Sequence, residues 1–261
     1  MNRIQSTLAG KKNNESTNKK ILSIYFTAGY PNLNDTVSII EELEQSGVDM
    51  IEIGMPFSDP LADGPTIQQS GTQALQNGMS TELLFSQLQN IRETISIPLL
   101  IMGYFNPILQ YGVEEFCRKC AEIGLDGLII PDLPVDVYHK EYEQIFKKYN
   151  LVNIFFITPQ TSKRRVEFVD SISDGFIYMV SSASTTGAKN TFGKDQEEYF
   201  SKIAEMKLKT PQIVGFGISN KETFNQATNS TEGAIIGSAF VKFLGENSIK
   251  NIPTFIKSIL Q

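Results

Sequence analysis

The chain has 261 residues, too many for a minimal domain and about the number that one large α/β domain takes. Its 41% hydrophobic and 20% charged residues are those of an ordinary soluble globular protein, and no apolar run approaches the roughly 18–20 residues needed to cross a bilayer. A net charge of −6 without a basic patch argues against a nucleic-acid partner, and the polar start MNRIQSTLAGKKNNESTNKK is no secretory signal, so the expected location is the cytoplasm.

In chain order, a short N-terminal helix and a flexible lead-in over roughly residues 11–20 open what is expected to be a single domain over 1–261. Eight apolar runs follow: ILSIYFT (21–27), VDMIEIG (48–54), IPLLIMGY (97–104), DGLIIPD (126–132), LVNIFFIT (151–158), DGFIYMV (174–180), PQIVGFG (211–217) and EGAIIGSA (232–239). They are nearly continuous rather than alternating, the pattern of parallel strands buried on both faces. Helical spacing marks the segments between them. DTVSIIEELEQSG (35–47) ends at Gly47, suited to the position after a helix, and STELLFSQLQNIRETI (80–95) has Ser80 or Thr81 to cap it. Further helices are predicted over 113–124, 135–150, 162–173, 194–207, 220–228 and 247–260.

The connections SGVD (46–49), IGLD (123–126), ISDG (172–175) and STEG (230–233) each close a helix and enter a strand. They belong at the bottom of a barrel. Eight β/α units in succession fit a (β/α)8 TIM barrel of the α/β class better than a doubly wound sheet, and ILSIYFTAGYP carries no glycine-rich dinucleotide fingerprint.

Chemistry in such barrels sits at the C-terminal strand ends. Glu52 lies there between Ile51 and Ile53. A carboxyl in an apolar strand is either an ion-paired structural group or an acid/base group whose proton affinity burial has raised. Asp63, eleven residues on, sits in a loop long enough to fold over the mouth, although Asp-Gly also favours a plain turn. Asp59 in Ser-Asp-Pro reads more simply as a turn residue. After the seventh and eighth runs, Gly215, Gly217, Gly237 and Ser238, with the short helix AFVKFLG, suit the phosphate site of such barrels. Glycines there let backbone N–H groups approach an anion. SSASTTGAKNTFG (181–193) has the small polar composition of a lid or of a surface loop. Tyr25, Tyr104, Ile129 and Tyr178 at strand ends could wall a flat apolar group. Cys117 and Cys120 share a helix face without a second pair to complete a metal site, and His139 reads as solvated, so no metal is expected.

The run EIGMPFSDPLADGPTIQ (52–68) resembles the signature of the tryptophan synthase alpha chain family. FTAGYP (26–31), PDLP (131–134), FIYMVS (176–181), TGA (186–188), GFGIS (215–219) and GSA (237–239) extend the likeness over nearly the whole chain. The resemblance implies a lyase that cleaves indole-3-glycerol phosphate to indole and glyceraldehyde 3-phosphate. It implies no cofactor in this chain, and a beta-chain partner, in an α2β2 assembly, that holds pyridoxal phosphate. By position, Glu52 and Asp63 match the catalytic carboxyls, Glu52 for the proton transfers and Asp63 for the indole N–H. Tyr178, Thr186, Gly187, Gly215, Gly217, Gly237 and Ser238 match substrate positions. Tyr25 departs from the pattern by adding a hydroxyl to the expected aromatic wall, and the lid carries SSASTTG in place of commoner arginine- or valine-bearing forms. The competing readings are another phosphate-binding barrel enzyme and a non-catalytic barrel that only activates a partner.

Overall fold

The computed structural model describes residues 2–12, 19–181 and 192–261. The eight apolar runs form β1 (Ile21–Thr27), β2 (Met50–Gly54), β3 (Leu99–Met102), β4 (Gly127–Ile129), β5 (Val152–Ile157), β6 (Ile177–Val180), β7 (Gln212–Gly215) and β8 (Gly233–Ile236). Each is parallel to the next, and β8 returns to β1, so the sheet is the predicted closed barrel. The strands are continuously apolar because both faces are covered. Tyr25, Met50, Leu100, Ile129, Ile154 and Tyr178 pack inside the barrel, while the alternate residues Leu22, Ile24, Phe26, Ile51, Ile53 and Leu128 join the outer core beneath the helices. Each fully buried side chain of this size contributes about 1.5–3 kcal/mol.

The predicted helices form with trimmed ends. Thr36–Gln45 stops where Gly47 takes a φ of +87°, and Ser80 Oγ accepts the Leu83 N–H at 3.2 Å to start Thr81–Leu88. The segment over 135–150 is interrupted: a π turn, Tyr138–Tyr142, separates Val135–Val137 from Glu143–Lys148. The expected short helix after β8 is Ser238–Glu246. Two helices have no counterpart among the predicted ones, Pro65–Gln76 and Phe105–Tyr111. The first buries only Ser70, Gly71 and Ala74, so it has almost no apolar stripe to show. Its start is the Gly64-Pro65 pair, with proline at the first turn, where its missing N–H costs nothing.

The N-terminal helix, Arg3–Lys12, closes the barrel bottom. Ile4 enters the inner core, close enough to Gly127 that an added Cβ there would lie 3.0 Å from its Cδ1. Asn2 donates to the carbonyls of Asp126 and Asn150 at 2.8 and 2.9 Å. Asp126, in the IGLD connection, is nearly buried and receives Arg92 at 2.5 Å, Arg3 at 3.1 Å and the Leu99 N–H at 3.0 Å. With that end sealed, the opposite end remains for chemistry.

Candidate active site

Glu52 is the third residue of β2, paired in register with Tyr25 on β1 and Leu100 on β3. Its neighbours Ile51 and Ile53 face the helices, so strand alternation turns the carboxyl into the barrel, where its exposure is 0%. Ser23, on the same inward face of β1, donates to Oε1 at 2.9 Å, and Oε2 is buried with no partner. A charge there would be stripped of water with one hydrogen bond in return. Burial therefore pushes the carboxyl up to about 8, the Ser23 bond only partly opposing it.

Asp63 arrives by a separate route. The chain leaves β2 with Met55 N–H bonded to the Met102 carbonyl at 2.8 Å, and turns through Pro60–Asp63, where the Asp63 N–H bonds the Pro60 carbonyl at 3.1 Å. The Tyr104 hydroxyl, beyond β3, clamps this turn: it accepts the Ala62 N–H at 2.8 Å and donates to Asp63 Oδ2 at 3.2 Å. Phe57 lies against the Tyr104 ring at 5.2 Å between centroids. Asp63 is half-buried, and burial pushes its carboxyl up to about 6 against the Tyr104 bond.

Two phenols complete the inner wall. Tyr25 lies across Gly54 of the next strand, where an added Cβ would meet its hydroxyl at 2.2 Å, and Tyr178 lies likewise across Gly215, at 2.1 Å. Burial first, then the charges of Asp63 and Glu52, raises both phenols and keeps them neutral. Ile129 is inward and fully buried, paired with Met102 and Ile154. After β7, Phe216 and Gly217 are both left-handed, at φ +69° and +78°, and Ser181 Oγ donates to the Phe216 carbonyl at 2.6 Å. Gly237 and the exposed Ser238 start the helix Ser238–Glu246 beside that turn.

Thus Tyr25, Glu52, Asp63, Tyr104 and Tyr178 converge, with the ends of β7 and β8 above them. Thr186, Gly187 and nearly all of the 181–193 loop lie outside the described residues. Asp59 shapes its own turn: Ser58 Oγ donates to its carboxylate at 2.5 Å and the Leu61 N–H to its carbonyl at 3.0 Å. Cys117 and Cys120 are buried free thiols raised by burial, and no His/Cys/Asp/Glu grouping suited to a metal occurs among the described residues. His139 is half exposed and pairs with Glu143 at 2.7 Å. Sequence reasoning missed Ser23, Gly54 and Phe57. The signal for Ser23 was there: Ser23, Tyr25 and Thr27 are the polar alternates of an otherwise apolar β1.

Two carboxyls whose surroundings raise their proton affinities by different amounts, at the open end of a closed parallel barrel, define the acid–base class of (β/α)8 enzymes. Comparison with known proteins narrows this class. The family model described as tryptophan synthase alpha chain matches residues 11–259. The tryptophan synthase alpha chains of Flavobacterium johnsoniae and Christiangramia forsetii are 68% and 62% identical over 259 residues, covering 99% of this chain and 100% and 98% of theirs. Among solved structures, the alpha subunit of Legionella pneumophila superposes with a TM-score of 0.89 at 32% identity, over 100% of this chain and 98% of that one. A chain of Mycobacterium tuberculosis tryptophan synthase does so with 0.89 at 29%, over 99% and 97%. The chain belongs to the tryptophan synthase alpha chain family. It is a lyase of tryptophan biosynthesis, and its alpha reaction cleaves indole-3-glycerol phosphate to indole and glyceraldehyde 3-phosphate.

Proposed function

We propose that Glu52 and Asp63 divide the acid–base work of the alpha reaction between them. The observation that carries this reading is Glu52 Oε2, buried in the barrel without a partner on a carboxyl pushed up to about 8. Near neutral pH Glu52 is mostly protonated and Asp63 mostly ionised, so one is ready to give a proton and the other to hold one. Glu52 protonates indole C3, and the N1–H of the resulting indolenine cation is held by Asp63. The Glu52 carboxylate then takes the proton of the C3′ hydroxyl. The C3–C3′ bonding pair returns to the ring, the aldehyde forms, and Glu52 ends protonated as it began. One acid/base group serves both steps, so the net proton change is zero.

Tyr25, Tyr104, Ile129 and Tyr178 wall the indole, while Gly215, Gly217, Gly237 and Ser238 receive the phosphate at the ends of β7 and β8. Thr186 and Gly187, outside the described residues, stand with these as substrate positions by the family resemblance alone. This path calls on no cofactor from this chain. Indole passes to a beta chain that holds pyridoxal phosphate, in an α2β2 assembly in the cytoplasm. Leu61, 92% exposed on the loop that carries Asp63, gives such a partner an apolar side chain to cover.

Indole release from indole-3-glycerol phosphate, with and without the beta chain, tests the assignment. Glu52→Gln and Asp63→Asn should each lower kcat by about 10²–10⁴-fold. Retention of full activity by both variants overturns it.

A further inference from the structure

Ser23 is fully buried, one inward position nearer the sealed end than Glu52. It pairs in register with Met50 on β2 and Ile235 on β8, whereas Glu52 stands opposite Tyr25, two residues further along β1. Met50 and Ile235 belong to the apolar inner core, and among the described residues Glu52 Oε1, at 2.9 Å, is the only hydrogen-bond partner of the Ser23 hydroxyl. A serine has one proton to donate. If the acid proton of Glu52 sat on Oε1 and pointed at Ser23, the serine proton would be left buried without an acceptor. With Ser23 donating, the serine is satisfied and the acid proton falls to Oε2, the oxygen that has no protein partner. Oε1 is thus engaged from the sealed side, and Oε2 is the oxygen left for the substrate.

Giving up that proton creates a carboxylate on a side chain with 0% exposure. Around it, Tyr25 on β1 and Tyr178 on β6 are neutral phenols, Leu100 on β3 is apolar, and Asp63 on its loop is another acid, so none of these supplies a positive charge. Ser23 is then the one protein donor bonded to the new anion, and a bond to a charged oxygen is worth more than the same bond to a neutral acid. We propose that Ser23 is a positioning residue of the alpha reaction: its bond to Oε1 keeps the transferable proton on Oε2 and holds the carboxylate left behind until that carboxylate takes the C3′ hydroxyl proton. This rests on the role of Glu52 given above.

Ser23→Ala removes the donor and adds no atom to the core. Its kcat should fall about 10-fold. The basic limb of kcat/KM, expected near 8 where Glu52 releases its proton, should move up by about one pH unit, because the lost bond favours the charged form. Ki for 3-(indol-3-yl)propyl phosphate, which binds without any proton transfer, should change by less than about twofold. Ser23→Thr keeps the hydroxyl and should return both kcat and the limb toward wild type. A merely repacked core would weaken Ki in step with kcat and leave the limb in place. That result, an unchanged kcat, an unmoved limb, or a threonine variant with the alanine variant's limb overturns the proposal. Failure of the Glu52 assignment shows separately, as activity kept by Glu52→Gln.

Discussion

Replacing Glu52 by glutamine should make the protein more stable at alkaline pH while abolishing its chemistry. Glutamine copies the protonated acid, because its carbonyl can still accept from Ser23 and its amide fills the place of Oε2. In the unfolded chain Glu52 releases its proton near 4.5, and in the folded barrel at about 8. A folded-state value above the unfolded one contributes stability that is fully present below about 4.5 and is lost as pH rises through about 8. The whole gap is worth on the order of 5 kcal/mol, and the part falling between pH 6 and 9 about 2–3 kcal/mol. Urea unfolding of wild type and Glu52→Gln at half-unit steps from pH 5 to 9 reads this directly. The wild-type curve should fall relative to the variant's by about 2–3 kcal/mol from pH 6 to 9. Parallel curves would mean that Glu52 is no harder to ionise in the barrel than in water, and the proton assignment of the mechanism would go with it.

Tyr104→Phe removes the bond that opposes the rise of Asp63, so the acid limb of kcat/KM, expected near 6 in the wild type, should move up by about 0.5–1 pH unit; an unmoved limb refutes the clamp. Gly215→Ala drives a Cβ into the Tyr178 ring and hydroxyl, and should cost about 1–3 kcal/mol in urea unfolding and raise KM for the substrate. Asp126→Ala takes from Arg92 its carboxylate partner, leaving it only backbone carbonyls, and takes from the Leu99 N–H its acceptor at the sealed end; it should cost about 3–5 kcal/mol while leaving both limbs of the kcat/KM profile in place. A displaced limb there would show that the two ends of the barrel are coupled.

The barrel was legible because its cause is one-dimensional. A parallel strand covered on both faces has to be apolar throughout, and eight such runs at similar spacing leave few alternatives. Glu52 stood out for the same reason, as a charge inside such a run. Helix Pro65–Gln76 was illegible because the residues it buries, Ser70, Gly71 and Ala74, are small, and serine and glycine read locally as turn formers. Tyr104 was foreseen as a wall, yet its hydroxyl is occupied on both sides by the Ala62–Asp63 turn. That contact spans 41 residues and leaves no trace in local pattern.

The difference between the two carboxyls follows from the elements that carry them. A strand residue inside the barrel cannot withdraw from the low-dielectric interior, so Glu52 has only the proton and Ser23 to offset its desolvation. A loop residue keeps part of its hydration, so Asp63 rises less, and Tyr104 limits the rise further. Exchanging the two residue types would therefore not exchange their tasks: Asp in β2 and Glu in the loop should still titrate high and low, respectively, because position and not side chain sets the order. The turn that begins as Gly54–Pro65 is the device that produces the asymmetry. It departs from the strand carrying the buried acid and returns, pinned at Tyr104, with an acid that remains partly in water.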